Sequence, residues 1–255
     1  MIRKLGVVIA AAALLLTSCG DSSGAGSGST SPGGAKSDLS ITFIPKQLNN
    51  PYTDVVLSGG KKGSQTAGFA RHNVAGPLEA SASSQVSFIN AETQAQTSVI
   101  AIAANDPDAL CPALKEARSA GAKIVGFDSD ANPECRDVFI NQVVSKDVAI
   151  VQVEMIAEQI GNEGKIAILS ATANATNQNE WIKFMEEELS SNPKYSKIQL
   201  VSKVYGDDND TKSFQEAQGL LQAHPDLKGI VSPTTLASPP RRVICPPHST
   251  RVRSL

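Results

Sequence analysis

Aromatic residues are scarce in this 255-residue chain, and neither sign of charge is in excess. Phe, Trp and Tyr make up 4% of the sequence, and 23 Lys and Arg face 25 Asp and Glu, for a formal net charge of -2. Without a basic field, a protein cannot hold a phosphate backbone by counterion release. We therefore expect no nucleic-acid partner, whereas the 41% hydrophobic content can build one large domain or two smaller ones.

The residue patterns of common catalytic and metal sites are also missing. The sequence has no GxSxG motif, no phosphate-binding glycine loop and no CxxC pair. Its three histidines, His72, His224 and His248, are isolated from Cys111 and Cys135. Covalent catalysis needs a nucleophile, a base and an orienting group within reach of one another, and zinc needs several N or S ligands. We expect no enzymatic activity, no metal and no cofactor.

The longest apolar run lies at the N-terminus. Arg3 and Lys4 precede about a dozen apolar residues over 5–16, which is typical of a secretory signal. The run is shorter than the roughly 20 residues that a membrane-spanning helix needs. The sequence LTSC at 16–19 resembles a bacterial lipobox, which implies that residues 1–19 are a signal peptide and that Cys19 carries lipid. A plain signal peptide with an incidental cysteine is the alternative.

Residues 20–38 are rich in Gly and Ser and predict a flexible tether. A lipid anchor at Cys19 would then hold the folded part outside the cytoplasmic membrane, on its periplasmic or cell-wall side. Disulfides persist in such a compartment. We predict a Cys111–Cys135 disulfide, with two free thiols on neighbouring elements as the alternative.

The rest of the chain alternates between short apolar runs and helical patterns. Continuous apolar runs indicate parallel strands that are covered on both faces, so an α/β fold is expected. Two successive blocks predict an N-terminal lobe at 39–143 and a second lobe at 144–235, which the family resemblance described below implies to be partial. Ser145 is the predicted N-cap of the first helix of the second lobe, and Asp106 or Asp108 that of the helix at 108–120. The predicted strands are 39–45, 98–103, 123–127, 138–141, 165–169, 198–204 and 229–232; the predicted helices are 55–70, 84–95, 108–120, 145–160, 179–190 and 212–223.

Three polar loops follow predicted strands, at 45–52, 128–130 and 177–181. Their amides and carboxylates can pair with hydroxyl groups, and their aromatic rings can pack on the C–H face of a sugar. The same residue types also favour turns and caps, which is the alternative for each loop. Asp130 in particular is expected to orient its turn, and Trp181 to pack in the core.

Longer segments carry a family resemblance over residues 39–235. FIPKQLNNPY, ANDPDALCPALKEARSAGAKIVGFDSDANPECR, INQ, TNQNEW, YGDDNDTKSFQEAQGLLQAHPDL and VSPTT resemble the type 1 periplasmic solute-binding proteins of ABC importers, especially the rhamnose-binding and autoinducer-2-binding branch. The resemblance implies a monomer of two lobes, each a parallel sheet flanked by helices, that closes on a sugar and docks on an ABC permease. Related sugar-responsive repressors need an N-terminal DNA-binding headpiece, where this chain has a signal and a linker.

The resemblance also implies ligand contacts, with rhamnose favoured over autoinducer-2 and over other pentoses and hexoses. Autoinducer-2 binders have Asp-Gln where this chain has Asn177-Gln178, and Pro-Asp-Ala where it has Pro-Thr-Thr at 233–235. An amide in place of a carboxylate favours a neutral sugar. The implied contacts are Lys46 and Asp128 to ligand oxygens, Asn50 and Tyr52 as polar and ring contacts, and Asn177, Gln178, Pro233 and Thr235 from the second lobe.

Residues 236–255 depart from the family pattern. They read LASPPRRVICPPHSTRVRSL, with two proline pairs and four arginines in the last fifteen positions. Paired prolines break helices and strands. The segment resembles a frameshifted or truncated end, with a naturally short family member as the alternative. We therefore expect an incomplete second lobe, marginal stability and weak or absent ligand binding.

Overall fold

The computed structural model describes residues 38–235 and the pair 253–254. The predicted signal peptide, the lipid anchor at Cys19, nearly all of the tether and most of the tail after residue 235 lie outside the described residues. Within them, the chain forms two parallel sheets with helices packed against both. The predicted α/β class is confirmed.

The first sheet consists of five parallel strands in the order β2-β1-β3-β4-β5. Its central strand β3 is the apolar run VIAI, whose last three residues are buried between the helices on either face. Burial on both faces is the reason that this strand lacks alternation. The strands are β1 (Ser40–Ile44), β2 (Arg71–Val74), β3 (Val99–Ile102), β4 (Lys123–Phe127) and β5 (Val138–Ile140).

The second sheet has the order β7-β6-β8-β9, again parallel in every pairing. Ile166 and Ile168 on β6 face one core cluster with the flanking helices, and Ala167 and Leu169 face another. β9 is a two-residue strand from the tail that pairs with the edge of β8. The strands are β6 (Gly164–Ser170), β7 (Ile198–Tyr205), β8 (Leu227–Val231) and β9 (Arg253–Ser254). We call residues 39–143 the first lobe and 144–235 the second lobe.

In residues 38–235, six α-helices lie between these strands. None of those in the described part of the chain is long and apolar enough to cross a membrane. Two helix ends follow from the local sequence. Asn50 caps the N-terminus of α1 ahead of a proline at the first helical position, and Gly161 ends α4 with a left-handed φ of 79°. The helices are α1 (Pro51–Thr66), α2 (Ala82–Gln94), α3 (Cys111–Ser119), α4 (Ser145–Ile160), α5 (Thr176–Ser191) and α6 (Asp210–Ala223).

Several predicted element bounds are wrong. α1 and α5 begin four and three residues earlier than expected, and α3 begins three residues later. β2 was not predicted, because its sequence RHNV is polar and lies on the edge of the sheet with most of its side chains exposed.

Two predicted helix caps are also wrong. Ser145 does not cap α4; its Oγ donates to Glu180 Oε2 at 2.6 Å, and Val144 occupies the cap position. The N-cap of α3 is Leu110 and neither Asp106 nor Asp108; Asp106 Oδ1 instead accepts from the N–H groups of Asp108 and Ala109 in the turn before the helix.

A disulfide joins Cys111, the first residue of α3, to Cys135 in the short turn that follows β4. Their Cα atoms are 5.3 Å apart, and Cys135 is fully buried against the core of the first lobe. The bond therefore ties α3 to the segment that follows Asp128.

Replacing both of these cysteines by alanine is expected to destabilise the protein. Closing a loop of about 25 residues stabilises a fold by about 3 kcal/mol, which corresponds to a drop of roughly 6 to 12 °C in Tm. Thermal unfolding followed by circular dichroism measures the change. A reductant should lower the Tm of the wild type by a similar amount and leave the double variant unaffected. An unchanged wild-type Tm in reductant would contradict the prediction.

Candidate functional site

A cavity of about 240 Å³ lies between the two lobes, at the carboxyl ends of β1, β4 and β8. Strand ends of this kind are where α/β folds place their ligands. All eight residues implied as ligand contacts line this one cavity, and their contact with a ligand remains a prediction. They are Lys46, Asn50, Tyr52, Asp128, Asn177, Gln178, Pro233 and Thr235.

The first-lobe wall is held in place by a buried glutamine on α2. Gln85 Nε2 donates to the carbonyl oxygens of Pro45 and Ala103, at 2.9 and 2.8 Å, and its Oε1 accepts from the N–H of Asn105. Asn105 Nδ2 in turn donates to the carbonyl oxygen of Lys46 at 2.8 Å. One fully buried amide thus fixes the loops after β1 and β3 relative to each other.

Asp128 is the centre of the hydrogen-bond network in the cavity. It follows β4 directly, has a left-handed φ of 57°, and is 7% exposed. Three side chains donate to its Oδ1: Tyr52 at 3.1 Å, Gln142 at 2.9 Å and Asn177 at 2.9 Å. These donors come from α1, from the segment after β5 and from α5, so a single carboxylate oxygen links both lobes.

Burial raises the pKa of the Asp128 carboxyl above its usual range. The positive charge of Lys46 and the hydrogen bonds from Tyr52 and Asn177 act in the opposite direction and only partly compensate. The pKa of the Tyr52 phenol is also raised, first by burial and then by the neighbouring Asp128 charge. Tyr52 is therefore a neutral hydrogen-bond donor at physiological pH.

Lys46 makes its ion pair with a residue of the other lobe. Its Nζ lies 3.4 Å from Oδ2 of Asp208, whose side chain is 2% exposed. Thr234 Oγ1 donates to Asp208 Oδ1 at 2.6 Å, and Gln47 Nε2 donates to the Asp208 carbonyl oxygen at 3.1 Å. The loops after β1, β7 and β8 therefore meet at this carboxylate.

Further hydrogen bonds cross between the lobes around the cavity. Thr235 Oγ1 donates to Asn50 Oδ1 at 3.0 Å. At the opposite rim, Asn174 Nδ2 donates to Asp106 Oδ2 at 2.6 Å, and the hydroxyl of Thr176 donates to the carbonyl oxygen of Asp130 at 3.2 Å. Together with the Asp128 and Asp208 contacts, these bonds describe two lobes in a closed arrangement.

Several predicted loop residues lie elsewhere than expected. Asn177 and Gln178 are in the first turn of α5 and not in a loop, because that helix already begins at Thr176. Gln178 Oε1 accepts from the Ser170 hydroxyl at 2.6 Å and from the backbone N–H of Ala171 at 2.8 Å. The helix thus presents Asn177 towards the first lobe, while the Oε1 of Gln178 is used within the second.

Asp130 and Trp181 were expected to have structural roles, and of these two only Trp181 also lines the cavity. Asp130 makes a two-pronged ion pair with Arg136, at 2.6 and 2.8 Å, which supports its expected turn-orienting role. Trp181 packs against the core of the second lobe as expected, but it also lines the cavity.

Several residues of the site were not predicted, among them Gln85, Gln142 and Asp208. The last two lie just past the carboxyl ends of β5 and β7. The criterion that pointed to Asp128, a polar residue that directly follows a predicted strand, could therefore have pointed to them as well. Gln85 lies in the middle of a helix, and its sequence position carries no such signal.

The sequence over residues 41–240 matches the family described as the periplasmic binding protein domain, which covers well over half of the chain. The chain belongs to this family. The predicted family is thereby confirmed, and solved relatives of this periplasmic binding protein include both a rhamnose binder and an autoinducer-2 (AI-2) binder.

Three solved structures resemble this periplasmic binding protein. A sugar ABC transporter from Actinomyces odontolyticus is 69% identical, over 78% of this chain and 64% of that one, with a TM-score of 0.57. A solute-binding protein from Clostridium phytofermentans with bound L-rhamnose is 35% identical, over 78% and 62%, with a TM-score of 0.75. LsrB from Clostridium saccharobutylicum in complex with AI-2 is 28% identical, over 78% and 63%, with a TM-score of 0.73. The chain thus spans less than two thirds of the length of each.

Asp128→Asn is expected to stabilise the unliganded protein at neutral pH. Because the folded pKa of Asp128 is raised, its charged form opposes folding above that pKa, and the penalty disappears as the pH falls towards about 4. Asparagine keeps the oxygen that accepts the three hydrogen bonds. Thermal unfolding should show a higher Tm for the variant at neutral pH and a smaller gap in acid. The same change at exposed Asp38 controls for the loss of one acidic charge. A variant that is less stable at neutral pH would refute the assignment.

Proposed function

We propose that this chain is the solute-binding part of an ABC importer and closes its two lobes over a neutral monosaccharide, with L-rhamnose as the favoured ligand. The observation that carries the proposal is the cavity itself. Hydroxyl, amide and carboxylate groups from both lobes converge on one cavity, and the polar residues that line it include no cysteine, serine or histidine. Such a site can bind and orient a polyol through several hydrogen bonds.

Two polar atoms in the wall support a ligand that both donates and accepts hydrogen bonds. Within the described residues, Trp181 Nε1 and Gln152 Oε1 are buried without a hydrogen-bond partner. Both residues line the cavity. A buried polar atom without a partner is costly, so a donor and an acceptor left open in one cavity favour an occupant with hydroxyl groups.

The apolar part of the wall supports a deoxy sugar. Val56, Phe127, Val143 and Val148 line the cavity beside the polar residues. L-rhamnose carries a methyl group where a simple hexose carries a hydroxymethyl group, and an apolar wall favours the methyl. The solved rhamnose binder, which is 35% identical to this chain, is in line with this choice.

The proposed mechanism is hinge closure without a chemical step. The sugar would bind to one lobe, the other would close over it, and the closed form would dock on a permease. Cys19 would carry the lipid that keeps the receptor at the outer face of the cytoplasmic membrane. An autoinducer-2 receptor of the same fold is the second candidate, since LsrB with bound AI-2 is a solved relative.

Thermal unfolding in the presence of sugars tests the proposal. A ligand that binds only the folded protein at a hundredfold excess over its Kd adds about 2.7 kcal/mol of stability, which is a Tm shift of roughly 5 to 11 °C. We expect this shift with L-rhamnose and a smaller one with ribose or autoinducer-2. A folded chain that shifts with none of them would contradict the proposed function and support the expectation that the chain as given does not bind.

Asn177→Asp should separate the two candidates. The change places a second carboxylate against Asp128, to which Asn177 now donates at 2.9 Å. If the ligand is rhamnose, we expect its affinity to fall at least roughly tenfold in titration calorimetry, because a donor to a charged group is lost. Asn179→Asp adds the same charge two residues along α5, where the side chain bonds to the Ala173 carbonyl outside the cavity, and should have little effect. A gain in autoinducer-2 affinity in Asn177→Asp would favour the second candidate.

A further inference from the structure

We propose that Asp208 is a positioning and specificity residue of this receptor: by pairing with Lys46 across the lobes, it favours the closed state and excludes anionic ligands. This inference rests on the proposed function and deepens it, because it assigns the ligand class to a residue outside the implied contact set. Its basis is a set of contacts, a backbone conformation and a charge count.

The contacts of Asp208 make it a junction between the lobes. Its own loop follows β7 in the second lobe, and Thr234 from the loop after β8 donates to its Oδ1. From the first lobe, Lys46 Nζ approaches its Oδ2 and Gln47 Nε2 donates to its carbonyl oxygen. Both carboxylate oxygens and the backbone carbonyl of one residue are therefore satisfied, and two of these three interactions exist only when the lobes are together.

Burial makes the ion pair sensitive to loss of either partner. The Asp208 side chain is 2% exposed, and that of Lys46 is 12% exposed. A buried charge that loses its partner is far more costly than a surface charge, because water cannot replace the missing contact. When the lobes separate, water can reach both groups, so the pair acts on the balance between open and closed forms.

The backbone at this loop is in an unusual conformation. Asp207 and Asp208 are two consecutive non-glycine residues with left-handed φ values of 52° and 49°. Aspartate tolerates this region better than most residues, but the conformation is still unfavourable and persists only where the surroundings enforce it. The Gly206 and Asp207 N–H groups bond to the carbonyl oxygens of Ser170 and Ala171 at the end of β6, which anchors the loop with Asp208 directed at the first lobe.

The charges of the residues that line the cavity account for the proposed specificity against anionic ligands. Among the lining residues, Lys46 is the one cation, and Asp128 and Asp208 are the anions. A carboxylate or phosphate on a ligand would need Lys46 as its counter-ion, but Asp208 already holds that ammonium group. An anionic ligand would thus enter a cavity whose net formal charge is negative, whereas a neutral polyol pays no such penalty.

Asp208→Asn tests the inference, with Asp207→Asn as the matched control. Asp207 is the adjacent residue in the same backbone conformation, but it pairs with Lys212 and does not line the cavity. Titration calorimetry with L-rhamnose and with its aldonic acid, L-rhamnonate, gives the ratio of neutral to anionic affinity for each protein. We expect Asp208→Asn to weaken rhamnose binding at least tenfold and to lower the ratio at least tenfold, and Asp207→Asn to leave both unchanged.

Two more variants separate charge from folding. Thr234→Val removes one hydrogen bond to Asp208 and keeps its charge, so rhamnose affinity should fall while the ratio stays constant. In a Lys46→Met background, Asp208→Asn should change the ratio less than in the wild type, since it still removes one negative charge but no longer frees a cation for an anionic ligand. If Asp208→Asn fails to fold, as judged by circular dichroism, the Thr234→Val measurement still decides.

Each outcome bears on one hypothesis. A wild type that binds rhamnose, together with an Asp208→Asn protein that behaves like Asp207→Asn, overturns the role of Asp208 and leaves the proposed function intact. A ratio that changes in Thr234→Val, or that responds to Asp208→Asn as strongly in the Lys46→Met background as in the wild type, also overturns it. A folded wild type that binds neither neutral sugar nor acid overturns the proposed function itself.

Discussion

A charged carboxylate can be kept in a protein interior only if several donors surround it, and Asp128 obtains its donors from distant parts of the chain. Tyr52, Gln142 and Asn177 reach the same oxygen from three different elements and both lobes. None of these donors fully offsets the burial, since the pKa remains raised. The geometry of the cavity follows from this requirement, because each donor has to approach Asp128 and in doing so brings its own element to the cavity wall.

The second requirement is a backbone that turns sharply at the strand ends. Asn49, Asp128, Asp207 and Asp208 all have left-handed φ values, and each lies in a loop that follows a strand of one of the two parallel sheets. Short polar side chains are the non-glycine residues that best tolerate this conformation. The residues that make the turns are therefore also the residues that can bind a polar ligand, which explains why Asn and Asp dominate these loops. The alternative of turn or cap is correct for Asn50, which caps α1 and also accepts from Thr235, while its contact with a ligand stays a prediction.

Much of this arrangement could be predicted from local sequence, since apolar runs mark the buried strands and polar residues mark their ends. β4 was predicted at its observed bounds for that reason. The edge strand β2 could not be predicted, because an exposed edge needs no apolar side chains and its pairing with β1 is a long-range event. Gln85 illustrates the same limit: a glutamine in a helix is ordinarily a surface residue, and only the tertiary packing turns it into a fully buried clamp. Asp208 could have been predicted from its position just past the end of β7, but its pairing with Lys46 could not, because Lys46 lies far away in the sequence.

The Gln85 clamp makes the two halves of the cavity unequal. Because one amide fixes the loops after β1 and β3 from within the first lobe, that wall keeps its shape whether or not the second lobe is near. The second-lobe wall has internal bonds as well, such as those of Gln178, but Thr235 and Asn177 gain their partners only when the lobes meet. The loss of conformational entropy on closure then falls partly on these second-lobe side chains, and a solute would meet a preformed template on one side and a more adaptable cover on the other.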